Sequence, residues 1–200
     1  MPVNVSEVYI ANLALAELGS RAIVSLDDAT PEARWCKRFY SQCRDELLRS
    51  HPWNFAIKRQ TLSALPSQPL SEWLYQYALP SDFIRLYQLN SFFADERQEL
   101  YQIEAGNLLT DAETASIRYI FQQTDTTKFD PLFVSALALL LASKVCRPIT
   151  GNDGSGYYQQ HKLIALPEAR KLDAREDKPR VKSPMAESDL IRSRFASDVS

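Results

Sequence analysis

The spacing of apolar residues changes twice along the chain, and this pattern limits its possible folds more strongly than any other feature. Apolar residues recur at helical intervals up to His51, alternate in strand fashion from Trp53 to Thr127, and return to helical spacing after Asp130. We therefore expect a mainly α fold, with a small antiparallel β insert and an extended C-terminal arm. The predicted parts are an α-helical bundle of residues 1–52 and 129–177, a β-rich lobe of residues 53–128 and an arm of residues 178–200.

The first helical segment contains two predicted helices. The first spans about residues 6–18, and Asn4 with Glu7 is expected to form a capping box at its start. The second begins at Thr30, a good N-cap residue that is followed by proline, and is expected to run to Ser50. The connector between them carries three apolar residues and is expected to pack onto the helices: Ile23, Val24 and Leu26.

The second helical segment also contains two predicted helices. The first follows Asp130 over about residues 131–146, and we expect Pro148 to end it. Because it is apolar on nearly all sides, it is expected at the centre of the core. The second spans about residues 157–177 and contains Pro167, so we expect a bend or break there.

A basic face is predicted on the second helix. It comprises five residues at helical spacing, of which the first four are the candidate contact residues: Arg34, Lys37, Arg38, Arg44 and Arg49. Such a face suits a solvated surface, a neighbouring subunit or passing DNA. The net charge of -2 argues against a protein whose main task is to grip nucleic acid.

The last residues differ in composition from the rest of the chain. Residues 178–200 are polar and proline-containing, and we interpret them as a docking arm that becomes ordered on a partner. Apolar anchors within a polar segment are expected to dominate its binding, with neighbouring arginines beside them. The predicted docking residues are Leu190, Ile191, Arg192, Arg194 and Phe195.

The sequence predicts no metal site, no cofactor and no catalytic centre. His51 and His161 belong to no metal-ligand spacing, and His161 is expected on the polar face of its helix. The three cysteines, Cys36, Cys43 and Cys146, are an odd number, which suits a reducing compartment. Cys36 and Cys43 are expected as small core residues on one helix face. The chain is therefore not expected to be an enzyme.

One enzymatic alternative stays open, namely glycan hydrolysis by two carboxylates. The acidic pairs that could perform it lie in predicted turns: Asp27 with Asp28, Asp95 with Glu96, and Asp111 with Glu113. A further alternative is a nucleic-acid-binding module that uses the basic face.

The chain carries no sequence signal for a membrane or for secretion. Its N-terminus lacks the basic start and apolar stretch of a signal peptide. The longest apolar run, residues 133–142, is shorter than the ~20 residues that a membrane span needs. We expect a soluble protein that is made in the cytoplasm and does not contact a membrane.

Several segments in order resemble the head-to-tail adaptor family of short-tailed bacteriophages, also called tail tubular protein A. The resemblance covers roughly residues 6–165, and its more specific parts are the segments HPWNFA and YALPSDFIRL. The other matching segments are ANLALAELG, the connector IVSLDD, the long helix TPEARWCKRFYSQCRDELLRS, and a late apolar helix before a glycine-rich turn.

This resemblance implies a structural role in the virion. Members of the family form a dodecameric ring beneath the portal protein, which extends the DNA channel, retains the packaged genome and seats the tail nozzle, a tail tubular protein B-like partner. Double-stranded DNA passes such a ring without sequence readout. In the family the C-terminal segment reaches the portal, in agreement with the docking arm expected from composition.

Overall fold

The computed structural model describes residues 5–67, 69, 72–90 and 99–176. Its α-helices are α1 Glu7–Glu17, α2 Pro31–Ser50, α3 Pro131–Thr150, α4 Ser155–Gln160 and α5 Leu166–Glu176. Its strands are β1 Ile57–Leu62, β2 Tyr75–Ala78, β3 Phe83–Leu89, β4 Gln102–Glu104, β5 Asn107–Thr110 and β6 Ala115–Phe121. A π-helical turn, His161–Ala165, joins α4 to α5.

The prediction of a mainly α fold is wrong. The structure is 48% helical and 20% strand, which is a mixed α/β fold. Its strands form two three-stranded antiparallel sheets, in the orders β1-β6-β3 and β2-β5-β4. The sequence pattern understated the strands because several of them are only three or four residues long, too short to show a clear alternation.

The chain divides into two compact units. Among the described residues, unit 1 contains those up to 60, 79–87 and 117–176, and unit 2 contains 61–78 and 88–116. The segment predicted as one β lobe, residues 53–128, therefore contributes to both units, because parts of β1, β3 and β6 belong to unit 1.

Helix α3 forms the centre of the unit 1 core. It packs against α1 and α2 and is buried on nearly all sides, as its composition predicts. Pro148 does not end the helix, contrary to the prediction; one more half-turn follows, and Gly151 caps the end with a φ of 77°. By length and composition helix α3 could cross a membrane, which the shorter apolar run of residues 133–142 did not predict. However, 61% of its most apolar stretch is buried within the chain.

Polar side chains cap the N-termini of α1, α2 and α3. Thr30 and Asp130 cap α2 and α3 as predicted, each accepting a hydrogen bond from a backbone N–H of the first turn. Helix α1 begins after Ser6, whose Oγ accepts from the Tyr9 backbone N–H, so the prediction of Asn4 as its cap is wrong. Asn4 itself lies outside the described residues.

No break interrupts the chain at Pro167, contrary to the prediction, because residues 155–176 are helical throughout. The helix is irregular only at the π-helical turn His161–Ala165, which ends two residues before Pro167. At the other end of this helical segment, Gly154 approaches the carbonyl of Ser143 so closely that an added Cβ would lie 2.2 Å from the oxygen. The segment is thus held against α3 at its start.

Unit 2 is built around the β2-β5-β4 sheet. Strands β4 and β5 form a hairpin whose two loop residues, Ala105 and Gly106, have φ of 47° and 79°. Both values are positive, as a type I′ turn requires, and the predicted turn is confirmed. Tyr77 lies opposite Leu108 in the register and donates its hydroxyl hydrogen to the carbonyl of Ala112 at 2.8 Å.

Candidate functional site

The more specific segments of the sequence resemblance form tertiary contacts in unit 1. In the HPWNFA segment, His51 Nε2 donates to Asp173 Oδ2 at 2.9 Å, and the Asn54 backbone N–H donates to Asp173 Oδ1 at 3.0 Å. The Asn54 side chain also donates to the Asp173 carbonyl at 2.8 Å. We call these three residues the α5 clamp, since they fasten the last turns of α5 to the chain that leaves α2.

The α5 clamp is a shielded polar cluster. The Asp173 side chain is only 8% exposed and that of His51 is 16% exposed. One turn earlier on α5, the Arg170 guanidinium donates to the Ser50 carbonyl at 2.9 Å. Hydrogen bonds to a shielded carboxylate are among the stronger ones in proteins. Side chains of α5 and of the segment that follows α2 therefore fix the orientation of the last turns of α5.

The same segment also supplies an aromatic cluster to the core. Trp53 is fully buried, its indole N–H donates to the Leu47 carbonyl at 2.9 Å, and its ring meets Phe133 edge-on at 5.1 Å. Phe55 meets the same ring of Phe133 at 5.0 Å and that of Phe129 at 5.7 Å. These contacts explain why two aromatic residues flank Asn54: they hold the loop that carries the α5 clamp.

The YALPSDFIRL segment places Asp82 in a second polar cluster of unit 1. Its carboxylate accepts from Lys58 Nζ at 2.6 Å and from the Tyr119 hydroxyl at 3.0 Å. Burial acts to raise the pKa of Asp82, but the hydrogen bonds from Lys58 and Tyr119 outweigh it and lower that pKa below its usual value. Burial and the bond to Asp82 raise the pKa of Tyr119 to about 12. The cluster stabilises the β3–β6 region, and an ionised Asp82 is part of it.

A rigid loop after α1 presents an exposed apolar side chain. Both the N–H and the carbonyl of Ile23 are bonded by the Asn12 side chain, at 2.8 and 2.9 Å. The Asp28 carboxylate accepts from the N–H groups of Val24 and Ser25 at 2.9 and 3.1 Å. Ile23 is buried as predicted, but the prediction that Val24 packs down is wrong, since it is 89% exposed. We call residues 23–28 the Val24 loop.

A second exposed apolar surface lies on the π-helical turn. Leu163 and Ile164 are 70% and 61% exposed, two and three residues after the buried His161. The inward side of the segment is formed by His161 and Ala169, which are 5% and 2% exposed, so the two apolar side chains project away from the core. We call Leu163 and Ile164 the apolar ridge.

The predicted basic face is only partly exposed. Arg34, Lys37 and Arg38 are exposed on α2, and Lys37 pairs with Asp27 at 2.5 Å. Arg44 is 5% exposed, and its Nε donates to its neighbour Asp45 at 2.8 Å, so it does not belong to this face. It lies one turn after buried Tyr40 and one turn before buried Leu48, on the inner side of the helix. Three of the four candidate contact residues are therefore exposed. Arg49 is exposed too, and its guanidinium donates to the Ile84 carbonyl at 2.6 Å.

The described cysteines and His161 are core residues. Cys36 and Cys43 are free and buried, which confirms the prediction, and Cys146 is free and buried as well. Burial raises the pKa of Cys36 to about 11 and that of Cys43 to about 12. His161 is buried rather than on a polar face as predicted, and its Nδ1–H donates to the Ala136 carbonyl at 2.8 Å. Burial lowers the pKa of His161 below its usual value, against the effect of that bond.

Three of the acidic residues considered for glycan hydrolysis have structural partners. Asp27 pairs with Lys37 and Asp28 holds the Val24 loop. Asp111 accepts from the Leu74 backbone N–H at 3.0 Å and lines an open depression of about 330 Å³ in unit 2. A smaller and more enclosed cavity of about 220 Å³ in unit 1 is lined by Asn54, Phe55, Lys128, Asp130, Leu172 and Asp173.

Several predicted residues lie outside the part of the chain that the structure describes. These are the pair Asp95 and Glu96 and the whole docking arm, including Leu190, Ile191, Arg192, Arg194 and Phe195. Among the described residues, no group of three or more histidine, cysteine, aspartate or glutamate side chains is placed to hold a metal ion.

The α5 clamp and the Val24 loop were not foreseen from the sequence. Asp173 gives no local signal, because its partners lie about 120 positions earlier in the chain. The Val24 loop had a weak signal, since an aspartate that follows a short polar turn often bonds backbone N–H groups. No protein-family model matches the chain, and no curated protein matches it.

Proposed function

We propose that this protein is an adaptor subunit of a phage head-to-tail connector. In this role, copies of the chain form a dodecameric ring under the portal that extends the DNA channel, retains the packaged genome and seats the tail nozzle. The protein is made in the host cytoplasm and resides in the neck of the virion. The ordered set of segments that resemble the adaptor family supports this proposal, with HPWNFA and YALPSDFIRL as its more specific parts.

The observation that carries the proposal is the α5 clamp. His51 and Asn54 come from the HPWNFA segment, and both bond Asp173 near the end of α5. The docking arm continues from the end of that helix along the chain. An arm that must reach a partner gains from a fixed point of departure, because less freedom is lost on binding. HPWNFA, one of the two more specific segments, thus holds the helix from whose end the proposed docking arm continues.

The exposed basic face suits a position beside DNA or a neighbouring subunit. Arg34, Lys37 and Arg38 are three exposed cations on one helix of a chain with a net charge of -2. A few cations on an otherwise balanced surface attract a phosphate backbone weakly and without reading sequence. Weak, unspecific attraction is what a channel needs if DNA is to pass through it.

The described residues offer no observation that favours the two alternatives. A glycosidase acid requires a raised carboxyl pKa. The carboxyls of Asp82 and Asp125 both have a pKa below the usual value; hydroxyl and backbone hydrogen bonds from Thr127 lower that of Asp125. Without Arg44, the basic face is also smaller than a nucleic-acid-binding module was expected to present.

The proposal is tested by mixing the purified chain with the portal ring of the phage that encodes it. We expect a stable complex on gel filtration and a much weaker one after deletion of residues 178–200, with the unfolding temperature unchanged. A second variant keeps the full length but replaces the apolar anchors Leu190, Ile191 and Phe195 by serine. It should weaken binding as much as the deletion does. Absence of a complex with the intact chain would overturn the proposal.

A further inference from the structure

Three arginines of unit 1 lie close together, although they come from three different elements. Arg49 on α2 donates from its guanidinium to the Ile84 carbonyl at 2.6 Å, and Ile84 directly precedes Arg85 on β3. Arg170 on α5 donates to the carbonyl of Ser50, the residue after Arg49, at 2.9 Å. We call Arg49, Arg85 and Arg170 the arginine cluster.

The positive charge of the arginine cluster is not balanced by carboxylates of the described residues. Within that part of the chain, Arg85 makes no hydrogen bond or ion pair, and neither Arg49 nor Arg170 pairs with a carboxylate. Asp173, one turn after Arg170, is already bonded within the α5 clamp. Burial, and after it the charge of Arg85, lowers the pKa of Arg170 below its usual value. The two arginines therefore repel each other.

The arginine cluster also has unused hydrogen-bond donors. A guanidinium carries five N–H donors, and Arg49 and Arg170 each use one on a backbone carbonyl. The buried Nε of Arg170 has no hydrogen-bond partner among the described residues. Cations are favourable at the C-terminal end of a helix, which accounts for Arg49 and Arg170 at the end of α2. It does not account for Arg85, which adds a third charge.

An oxyanion would satisfy both the charge and the donors of the cluster, and the basic face of α2 indicates its source. Guanidinium groups bind phosphate oxygens through charge-assisted hydrogen bonds, which are stronger than those between neutral groups. By helical geometry, Arg34, Arg38 and Arg49 lie within about 60° of one another around α2 and span about 22 Å along it. A phosphate backbone that follows this line passes from the first turn of α2 to the arginine cluster.

We propose that the arginine cluster is a phosphate-binding site, and that its phosphate comes from the backbone of the DNA that passes the ring. Such a contact carries no sequence information, because every nucleotide offers the same phosphate. The inference rests on the proposed function, which supplies the DNA. It adds Arg85 and Arg170, from β3 and α5, to the cations predicted on α2.

The phosphate site is tested with Arg85→Gln in the full chain, because Arg85 makes no hydrogen bond to the described residues that the substitution would remove. Without phosphate, this variant should be at least as stable as the native chain, since it loses the repulsion with Arg170. Replacing chloride by inorganic phosphate at equal ionic strength should raise the unfolding temperature of the native chain more than that of Arg85→Gln. The general stabilisation by phosphate, which is excluded from protein surfaces, should be the same in both.

The matched control is Arg34→Gln, which removes one exposed charge from α2 at about 22 Å from Arg49. It should respond to phosphate as the native chain does. If Arg85→Gln also responded as the native chain does, the phosphate site would be overturned. An equally reduced response in both variants would show an effect of net charge alone, and would overturn it as well.

Fluorescence anisotropy with a labelled DNA duplex then tests the source of the phosphate. The affinity of the native chain should fall with salt, and Arg85→Gln should reduce the slope of log K against log salt concentration by about 1. An unchanged slope, or no measurable binding by the native chain at low salt, would overturn the assignment to DNA. A polyglutamate peptide that competes as well as unlabelled duplex would indicate an acidic protein partner instead, and would also overturn it.

Failure of this inference and failure of the proposed function give different results. If the phosphate response is the same in all variants while the native chain forms its ring on the portal, the site is refuted and the adaptor function stands. If the native chain forms no ring with the portal but Arg85→Gln loses the phosphate response, the adaptor function is refuted and the phosphate site stands.

Discussion

Replacing Gly154 by alanine should push α4 away from α3. An alanine Cβ at this position would lie 2.2 Å from the Ser143 carbonyl oxygen, 3.1 Å from its carbonyl carbon and 3.2 Å from the Cys146 Cβ. Carbon and oxygen atoms normally approach to about 3.3–3.6 Å, so the start of α4 must move by more than an ångström. The obstacle is backbone, which cannot rotate aside as a side chain can. We expect a loss of about 1–3 kcal/mol in the free energy of unfolding.

The matched control is Gly156→Ala, two residues further along. Nothing lies within 4 Å of a Cβ there, and the position is inside α4, where alanine is preferred to glycine. The control should therefore raise the free energy of unfolding by about 0.5–1 kcal/mol. Urea unfolding followed by circular dichroism measures both variants. If Gly154→Ala were as stable as Gly156→Ala, the close approach of α4 to α3 would be refuted.

Three further predictions concern the polar and buried groups. Asp173→Ala should lower the free energy of unfolding by about 2–4 kcal/mol, because it leaves two donors of the α5 clamp unpaired. The control Lys171→Ala, on the exposed side of α5, should change this free energy by less than about 0.5 kcal/mol. Equal effects of the two variants in urea unfolding would refute the clamp. Because the pKa of Tyr119 is raised to about 12, an unfolded chain loses this proton first as the pH rises above 10. Stability should therefore fall between pH 10 and 12, and less steeply in Tyr119→Phe; parallel pH profiles of the unfolding temperature would contradict this. Cys36 and Cys43, with pKa values of about 11 and 12, should react with a thiol reagent at pH 8 only after unfolding, and rapid reaction of the native chain would show that they are accessible.

Features set by neighbouring residues were predictable from the sequence. Thr30 and Asp130 begin helices because each side chain reaches a backbone N–H only two or three residues ahead. The turn at Ala105 and Gly106 follows equally from local backbone preference. Near Pro167 the missing N–H predicted an irregular helix, and a π-helical turn does precede that residue, although the helix is not interrupted. In each case the cause and the effect lie within a few residues of one another.

Features set by distant partners were not predictable in this way. The strand content was understated, since strands of three or four residues are stabilised by their neighbours in a sheet rather than by their own pattern. Arg44 was placed on the exposed basic face because of its charge, yet it is buried beside Asp45. Asp173 had no signal at all, because its role depends on His51 and Asn54, far away in the sequence.

The central claim, a ring-forming adaptor, is tested most directly by electron microscopy of the full chain mixed with the portal ring. We predict a closed dodecameric ring of this chain, coaxial with the portal and seated on one of its ends, with density for residues 178–200 reaching the portal. Particles in which the portal ring remains bare, while the chain stays monomeric beside it, would contradict the claim.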